Sequence, residues 1–177
     1  FFLLTKLYRK FTMPEGKELS YSNIASNYNQ DRFTGKNGKF LFEIDNKIIR
    51  EFLDIAKSKK ILDMPVGTGR VLSYLKSFDC QVIGLDYTEE MLVEARKVMH
   101  PERHTLVQGN ASATNFLDGE FDCLISLRFF HLFKRDERAP FSREFSRVIK
   151  PGGYIITSFT NGWYAGGWNW LKRILGF

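Results

Sequence analysis

An α/β fold built on a doubly wound, mostly parallel sheet is predicted by three observations. Between residues 40 and 160, five short apolar runs alternate with segments of helical periodicity. The first two of these runs each close on a carboxylate, Asp63 and Asp86. Between Asp63 and the helix that follows lies a tight turn carrying Gly67 and Gly69, the pattern of strand, loop and helix. Strands separated by helices require crossover connections, which are right-handed and give parallel pairing.

Taken in order, residues 1–13 place Leu3, Leu7 and Phe11 four apart among Lys6, Arg9 and Lys10, the spacing of a basic amphipathic helix. It reads as a lid packed on the domain or as a surface that meets a membrane or partner. Residues 21–38 are polar and read as short helix and loop. Leu41, Ile44, Ile48, Phe52 and Ile55 then recur at three- and four-residue spacing, which predicts a long helix over 40–56 with that stripe against the sheet. Ile61 to Asp63 is the first strand, and Val71, Leu72 and Leu75 mark the helix after the glycine turn. Cys80 to Asp86 is the second strand, after which Thr88 is placed to cap a helix whose stripe is Met91, Leu92, Ala95, Val98 and Met99. Glu89 and Glu90 suit that helix's positive end. His104–Gln108 and 120–127 are the third and fourth strands. Pro140 opens a helix carrying Phe141, Phe145, Val148 and Ile149. The paired glycines Gly152 and Gly153 let the chain turn into a fifth strand over Tyr154–Thr160.

With 177 residues, 44% hydrophobic and 26% charged, the chain suits one domain with a real core. We divide it into an N-terminal lid over 1–40, a ligand-binding core over 41–160 and a helical tail over 161–177. The net charge of +6 is scattered rather than gathered into a stripe, which argues against a nucleic-acid partner. Cys80 and Cys123 fall in predicted strands without metal-ligand spacing, so they read as buried thiols in a reducing compartment, and no metal site is expected. No run reaches the ~20 apolar residues of a membrane span. Phe1-Phe2-Leu3-Leu4 is too short for a signal core, so a cytoplasmic location is expected.

A dinucleotide fingerprint would put a third glycine where Leu72 stands, and would not place an acid directly before the loop. No Tyr-x-x-x-Lys follows for dehydrogenase chemistry either. Instead the ordered set Asp63, Gly67 and Gly69, Asp86, Gly109-Asn110-Ala111, the Phe121-Asp122 strand and Arg147-Val148-Ile149-Lys150-Pro151-Gly152-Gly153 resembles the class I S-adenosylmethionine-dependent methyltransferases, particularly their small-molecule branch. The resemblance covers roughly 21–160 and implies a Rossmann-like sheet, whose last strands are missing or truncated here, and S-adenosylmethionine as cofactor.

The resemblance also implies roles. Asp63 takes the amino group of the methionine part, Gly67 and Gly69 pass beneath it, and Asp86 holds the ribose hydroxyls. Tyr28 and Arg32 belong to a segment that closes over the cofactor and contacts the methionine carboxylate. Tyr87 lies against the adenine, with Met91 beside it, and Asn110 accepts from the adenine amino group through its amide oxygen where relatives have an acid. Ala111 and Leu127 complete the pocket, and Pro65 stands where the family usually has another glycine, removing a donor and stiffening the loop.

Transfer of a methyl group from a sulfonium is an in-line displacement that needs positioning and a dry site, not a nucleophilic side chain. If the acceptor is a hydroxyl, His131, just past the fourth strand, is the base placed nearest by sequence. The chain lacks the Asn/Asp-Pro-Pro-Tyr/Phe segment of amino-directed DNA methyltransferases, and neither cysteine follows a proline as in cytosine-C5 enzymes. A small-molecule or lipid-like acceptor remains. The Trp-rich tail, in which Trp168, Leu171, Ile174 and Leu175 share one face, either covers the acceptor pocket or makes peripheral contact with a membrane. A methyltransferase-like binding module without turnover is the alternative reading, motivated by Pro65 and Asn110.

Overall fold

Runs such as Ile61-Leu62 and Cys123-Leu124-Ile125 are apolar at successive positions, so both faces of their sheet must be covered. The computed structural model, which describes residues 36–56 and 58–158, has that arrangement. In chain order the elements are α1 (Lys36–Ala56), β1 (Lys60–Asp63), α2 (Arg70–Leu75), β2 (Gln81–Asp86), α3 (Glu89–Arg96), β3 (His104–Gln108), β4 (Phe121–Ser126), short 3-10 turns at Phe130–Leu132 and Asp136–Arg138, α4 (Ala139–Val148) and β5 (Ile149–Thr157). The five strands are all parallel in the order β3-β2-β1-β4-β5. The basic N-terminal segment, Tyr28, Arg32 and the Trp-rich tail, with the question of further strands, lie outside the described residues. Among the described residues, no helix is long and apolar enough to cross a membrane.

The chain leaves β1 toward one face and β4 toward the other, so a crevice opens between them at the carboxyl edge, the position where open α/β sheets bind ligands. One face packs Ile61, Val82, Cys123 and Ile125 under Ile49, Leu72, Leu75, Leu92 and Ala95. The opposite face packs Leu62 and Leu124 under a phenylalanine cluster. There Phe129 meets Phe141 edge-on at 4.9 Å, Phe130 meets Phe145 at 5.4 Å, and Phe133 tilts against Phe141 at 4.6 Å. Much of the chain's phenylalanine surplus is thus spent on one core layer, where such ring pairs add to area burial.

Four local expectations are corrected. The stripe of α1 that faces the sheet is Ile49 and Leu53, whereas Ile44, Ile48 and Phe52 stay 38–43% exposed. The helix has apolar residues on more than one face, and Asp45, one turn before Ile49, fixes its rotation by meeting Arg70 and Arg128. Thr88 takes the N-cap position of α3 but makes no side-chain cap bond; its hydroxyl donates to Asp86 Oδ1 at 3.1 Å. That helix ends at Arg96, so Val98 and Met99 pack from the turn beyond it. Finally, β5 begins at Ile149, because the Lys150–Gly153 turn is absorbed as an irregularity in the ladder between Phe121↔Ile149 and Cys123↔Tyr154. Gly153 is required there, since a Cβ would sit 2.8 Å from the Asp122 carbonyl oxygen.

Asp122 is a strand-end structural acid: Oδ2 accepts from the N–H groups of Lys59 and Lys60, and Oδ1 from Lys150 Nζ at 2.6 Å. Both cysteines are free and buried, and burial first, then Asp122, pushes the Cys123 thiol up to about 12.

His104 at the start of β3 is buried, with Nδ1 accepting from the His100 N–H at 3.0 Å and Nε2 without a partner among the described residues. Burial, assisted by His100, Lys76 and Arg103, pushes its pKa from 6.5 down to about 4. The fold therefore favours the neutral ring, and the unfolded chain binds the proton more readily between those two values. Stability contributed by neutral His104 is complete above pH 6.5 and is lost as pH falls toward 4. Urea unfolding should lose about 1–2 kcal/mol between pH 7 and 5, allowing for solvent screening, beyond what a His104→Leu protein loses. Parallel pH profiles for the two proteins would remove His104 as the cause.

Candidate functional site

The crevice between β1 and β4 is lined first by the loop that leaves β1. Met64 N donates to Ile125 O and Val66 N to Leu85 O, at 2.9 and 2.8 Å, which pins the loop to both neighbouring strands. The Met64–Pro65 peptide is cis, and Pro65 lines the cleft. Gly67 and Gly69 both have positive φ, 53° and 78°, but for different reasons. A Cβ on Gly67 would meet nothing within 4 Å among the described residues, whereas one on Gly69 would lie 2.7 Å from Val98 Cγ2 and 2.9 Å from Ala95 Cα. Gly67 lines the cleft and Gly69 does not. The second glycine lets the loop close on α3, and the first leaves room for a ligand.

Asp63, at the end of β1, is 1% exposed yet lines the cleft, and its Oδ2 has no partner among the described residues. Burial holds its carboxyl well above the usual range, Arg70 draws it down and Asp86 raises it further. A buried carboxylate oxygen left in this state is costly unless a cation meets it. A ligand ammonium at the cleft floor would do so.

Asp86, at the end of β2, is also buried. Oδ2 accepts from Gly67 N at 2.8 Å, and Oδ1 accepts from both the N–H and the hydroxyl of Thr88 at 3.1 Å. Burial raises its pKa, and the bonds from Thr88 and Gly67 oppose that rise. The carboxylate therefore fixes the glycine loop to the neighbouring strand as well as facing the cleft.

Beyond Asp86, Tyr87, Met91, Asn110 and Ala111 line the β2–β3 side of the cleft. Asn110 sits in a turn closed by Ala113 N to its own carbonyl, and its Oδ1 accepts from Ser112 N at 2.9 Å and Ser112 Oγ at 2.8 Å. The loop after this turn is tied down by Arg147 and Glu144 of α4. Arg147 donates to Phe116 O and Asp118 Oδ1, and Glu144 accepts from Thr114 N at 2.8 Å.

On the β4 side, Leu127 is followed by Arg128, a non-glycine residue at φ 57° whose N–H donates to Ser158 Oγ at 2.8 Å. The guanidinium groups of Arg128 and Arg70 share the carboxylate of Asp45, at 3.3 and 3.4 Å. Both arginines line the cleft, and Phe129, Leu132 and Phe141 give it an apolar wall. Of these five, Arg128, Phe129 and Leu132 fall in the 128–133 segment after the fourth strand, the carboxyl edge where the sequence places substrate chemistry, whereas Arg70 and Phe141 were not anticipated as lining residues. The available signal was their position: Arg70 directly follows Gly69, and Arg128 directly follows the fourth strand.

His131 does not line the cleft. It is exposed on the 3-10 turn, whose three-residue period puts Phe129 and Leu132 on one side and His131 off it. Tyr28 and Arg32 lie outside the described residues.

The sequence pattern described as a methyltransferase domain matches residues 62–157. The chain is 32% identical over 143 residues to a demethylmenaquinone methyltransferase of Staphylococcus carnosus (strain TM300), covering 77% of this chain and 56% of that one. It is 34% identical over 103 residues to an uncharacterized methyltransferase of Synechocystis, covering 58% and 48% of the two chains. It thus spans about half the length of these relatives. Among solved structures, a protein of Pyrococcus horikoshii OT3 superposes with a TM-score of 0.68 at 22% identity, covering 89% of this chain and 69% of that one. At that identity the likeness concerns the fold. A SAM-dependent methyltransferase of Methanosarcina mazei superposes with a TM-score of 0.55 at 27% identity, covering 62% and 57%.

Proposed function

Given that this chain belongs to the methyltransferase domain family, within the class I S-adenosylmethionine-dependent superfamily, we propose that it transfers the methyl group of that cofactor to a small-molecule or lipid-like acceptor. The observation that carries the proposal is Asp63: a fully buried carboxylate with an oxygen that has no partner among the described residues, at the floor of a cleft also lined by Gly67, whose missing Cβ leaves open space among those residues.

The residues present fit the cofactor. Asp63 would hold the ammonium of its methionine part, with Pro65 and Gly67 beneath and Leu127 opposite. Asp86 would meet the ribose hydroxyls with the lone-pair capacity that Gly67 and Thr88 leave. Tyr87, Met91, Asn110 and Ala111 would enclose the base. Bound there, S-adenosylmethionine supplies a methyl group activated by a sulfonium. The chain's own contribution is to orient and to exclude water, the two effects an in-line displacement needs. Phe129, Leu132 and Phe141 supply the apolar wall for the second of these. Gly69 acts through packing on α3, and His131, outside the cleft, is given no part in proton removal.

An apolar wall beside two arginines suits an acceptor with an apolar ring or chain, which agrees in kind with the demethylmenaquinone named for the relatives. Isothermal titration should give saturable heat with S-adenosylmethionine and S-adenosylhomocysteine and none with NAD. Methyl-labelled cofactor should then label a demethylated quinol presented in detergent. Heat from NAD alone would overturn the cofactor assignment. Cofactor binding with no labelled product from any acceptor in a cell extract would favour the binding-module reading instead.

A further inference from the structure

We propose that Asp63 holds a proton on its carboxyl while the cleft is empty and exchanges it for the ammonium of the ligand, so that binding releases a proton to solvent. The inference rests on the cofactor assignment above and concerns how the ammonium is received.

Asp63 and Asp86 end neighbouring strands and are both buried, yet the chain treats them oppositely. Asp86 accepts from Gly67 N–H and from the N–H and hydroxyl of Thr88, and donors of that kind hold a carboxylate in its charged form. Asp63 Oδ2 accepts nothing among the described residues. The loop that leaves β1 is the nearest source of donors, and it spends them elsewhere: Met64 N on Ile125 O, Val66 N on Leu85 O, Gly67 N on Asp86 and Gly69 N on Val66 O. Pro65 has no N–H to give. Gly84 and Ile125, which flank Asp63 in the sheet, carry no side-chain donor.

The charged groups around Asp63 do not replace those donors. Arg70 of α2 is the cation that acts on it, and that guanidinium already meets Asp45 of α1, as does Arg128 beyond β4. Asp86 of β2 adds a like charge. Burial is the largest influence and holds the carboxyl well above its ordinary range. A charge in a dry site without donors is relieved by taking up a proton. An arriving ammonium brings what is missing, a positive charge and N–H donors. The O–H bond of Asp63 then breaks, its proton passes to the buffer, and the ammonium keeps its own hydrogens, so carboxylate and ammonium form a neutral pair.

The test is calorimetric titration of the wild-type protein with S-adenosylhomocysteine from about pH 5 to about pH 8, in buffers of different ionisation enthalpy. Affinity should rise about tenfold per pH unit while the empty protein holds the proton and level off above that range, with about one proton released on the rising limb. 5′-Methylthioadenosine, which has the ribose and base but no ammonium, should bind with a flat profile and no release. This comparison needs no variant. A second readout needs no ligand. The unfolded chain ionises in the ordinary carboxylate range while the folded cleft keeps the proton, so the stability of the empty wild type should fall, relative to Asp63→Asn, as pH rises between the two. Binding of S-adenosylhomocysteine without proton release at any of these pH values, equal release with both ligands, or parallel stability profiles for wild type and Asp63→Asn would overturn the inference while leaving the cofactor assignment standing. Failure of the wild type to bind either adenosyl compound would overturn both.

Discussion

Replacing Asp86 with alanine is expected to weaken cofactor binding beyond about a hundredfold and to lower folding stability by about 2–4 kcal/mol. Both effects come from one carboxylate. Its bonds from Gly67 N and from the N–H and hydroxyl of Thr88 are each made to a charged, buried acceptor, the class of hydrogen bond worth about 1.5–3 kcal/mol. Without it, Gly67 N–H loses its partner and the loop keeps only the bond from Val66 N to Leu85 O as its tie to β2. Ribose recognition and the shape of the cleft floor would fail together. Thermal unfolding and titration with S-adenosylhomocysteine measure the two effects separately. A variant that binds within a few-fold of wild type would show that the ribose sits elsewhere.

The second large effect separates the two glycines of the loop. Gly69→Ala should destabilise the fold by about 2–4 kcal/mol, since the methyl meets the Ala95 backbone at 2.9 Å and the residue stays in the left-handed region. Gly67→Ala should cost only about 1 kcal/mol of stability, the left-handed penalty alone, because no described residue lies within 4 Å of the new Cβ. Its cost should appear in binding, as a methyl group projecting into the space proposed for the cofactor. Urea midpoints and titrations on both variants decide the matter. Equal stability losses, or undiminished cofactor affinity in Gly67→Ala, would contradict the division of roles.

The fold was legible in the sequence because its signals are local. A strand that ends in an acid, a turn that needs glycine and a helix stripe can each be read within a dozen residues, and the order of elements then dictates a parallel sheet. What escaped was set by contacts between distant segments. Nothing local tells Gly67 from Gly69; the difference is made by Ala95 of α3 and Val98 of the turn beyond it, which return to the loop. Nothing in 40–56 shows which apolar row faces inward, because the choice is made by Asp45 meeting Arg70 and Arg128 from two other elements. The amide oxygen of Asn110 accepts from Ser112, only two residues away, yet the sequence alone does not say that it is engaged in a turn. His131 was singled out by residue type and proximity to a strand end, and the geometry of a 3-10 turn directs it away from the cleft.

The carboxylate of Asp45, shared by two guanidinium groups at the cleft, also acts as a built-in competitor. Any anionic group that enters between Arg70 and Arg128 must displace it or share with it, so the affinity of such a group is reduced by the strength of the internal contact. Thermodynamic reciprocity then couples the two events: whatever draws α1 away from the cleft raises anion affinity by the same factor by which the anion loosens α1. The helix that precedes the first strand is in this way a tunable counter-ion, and its seating and the charge of the bound ligand are read by one another.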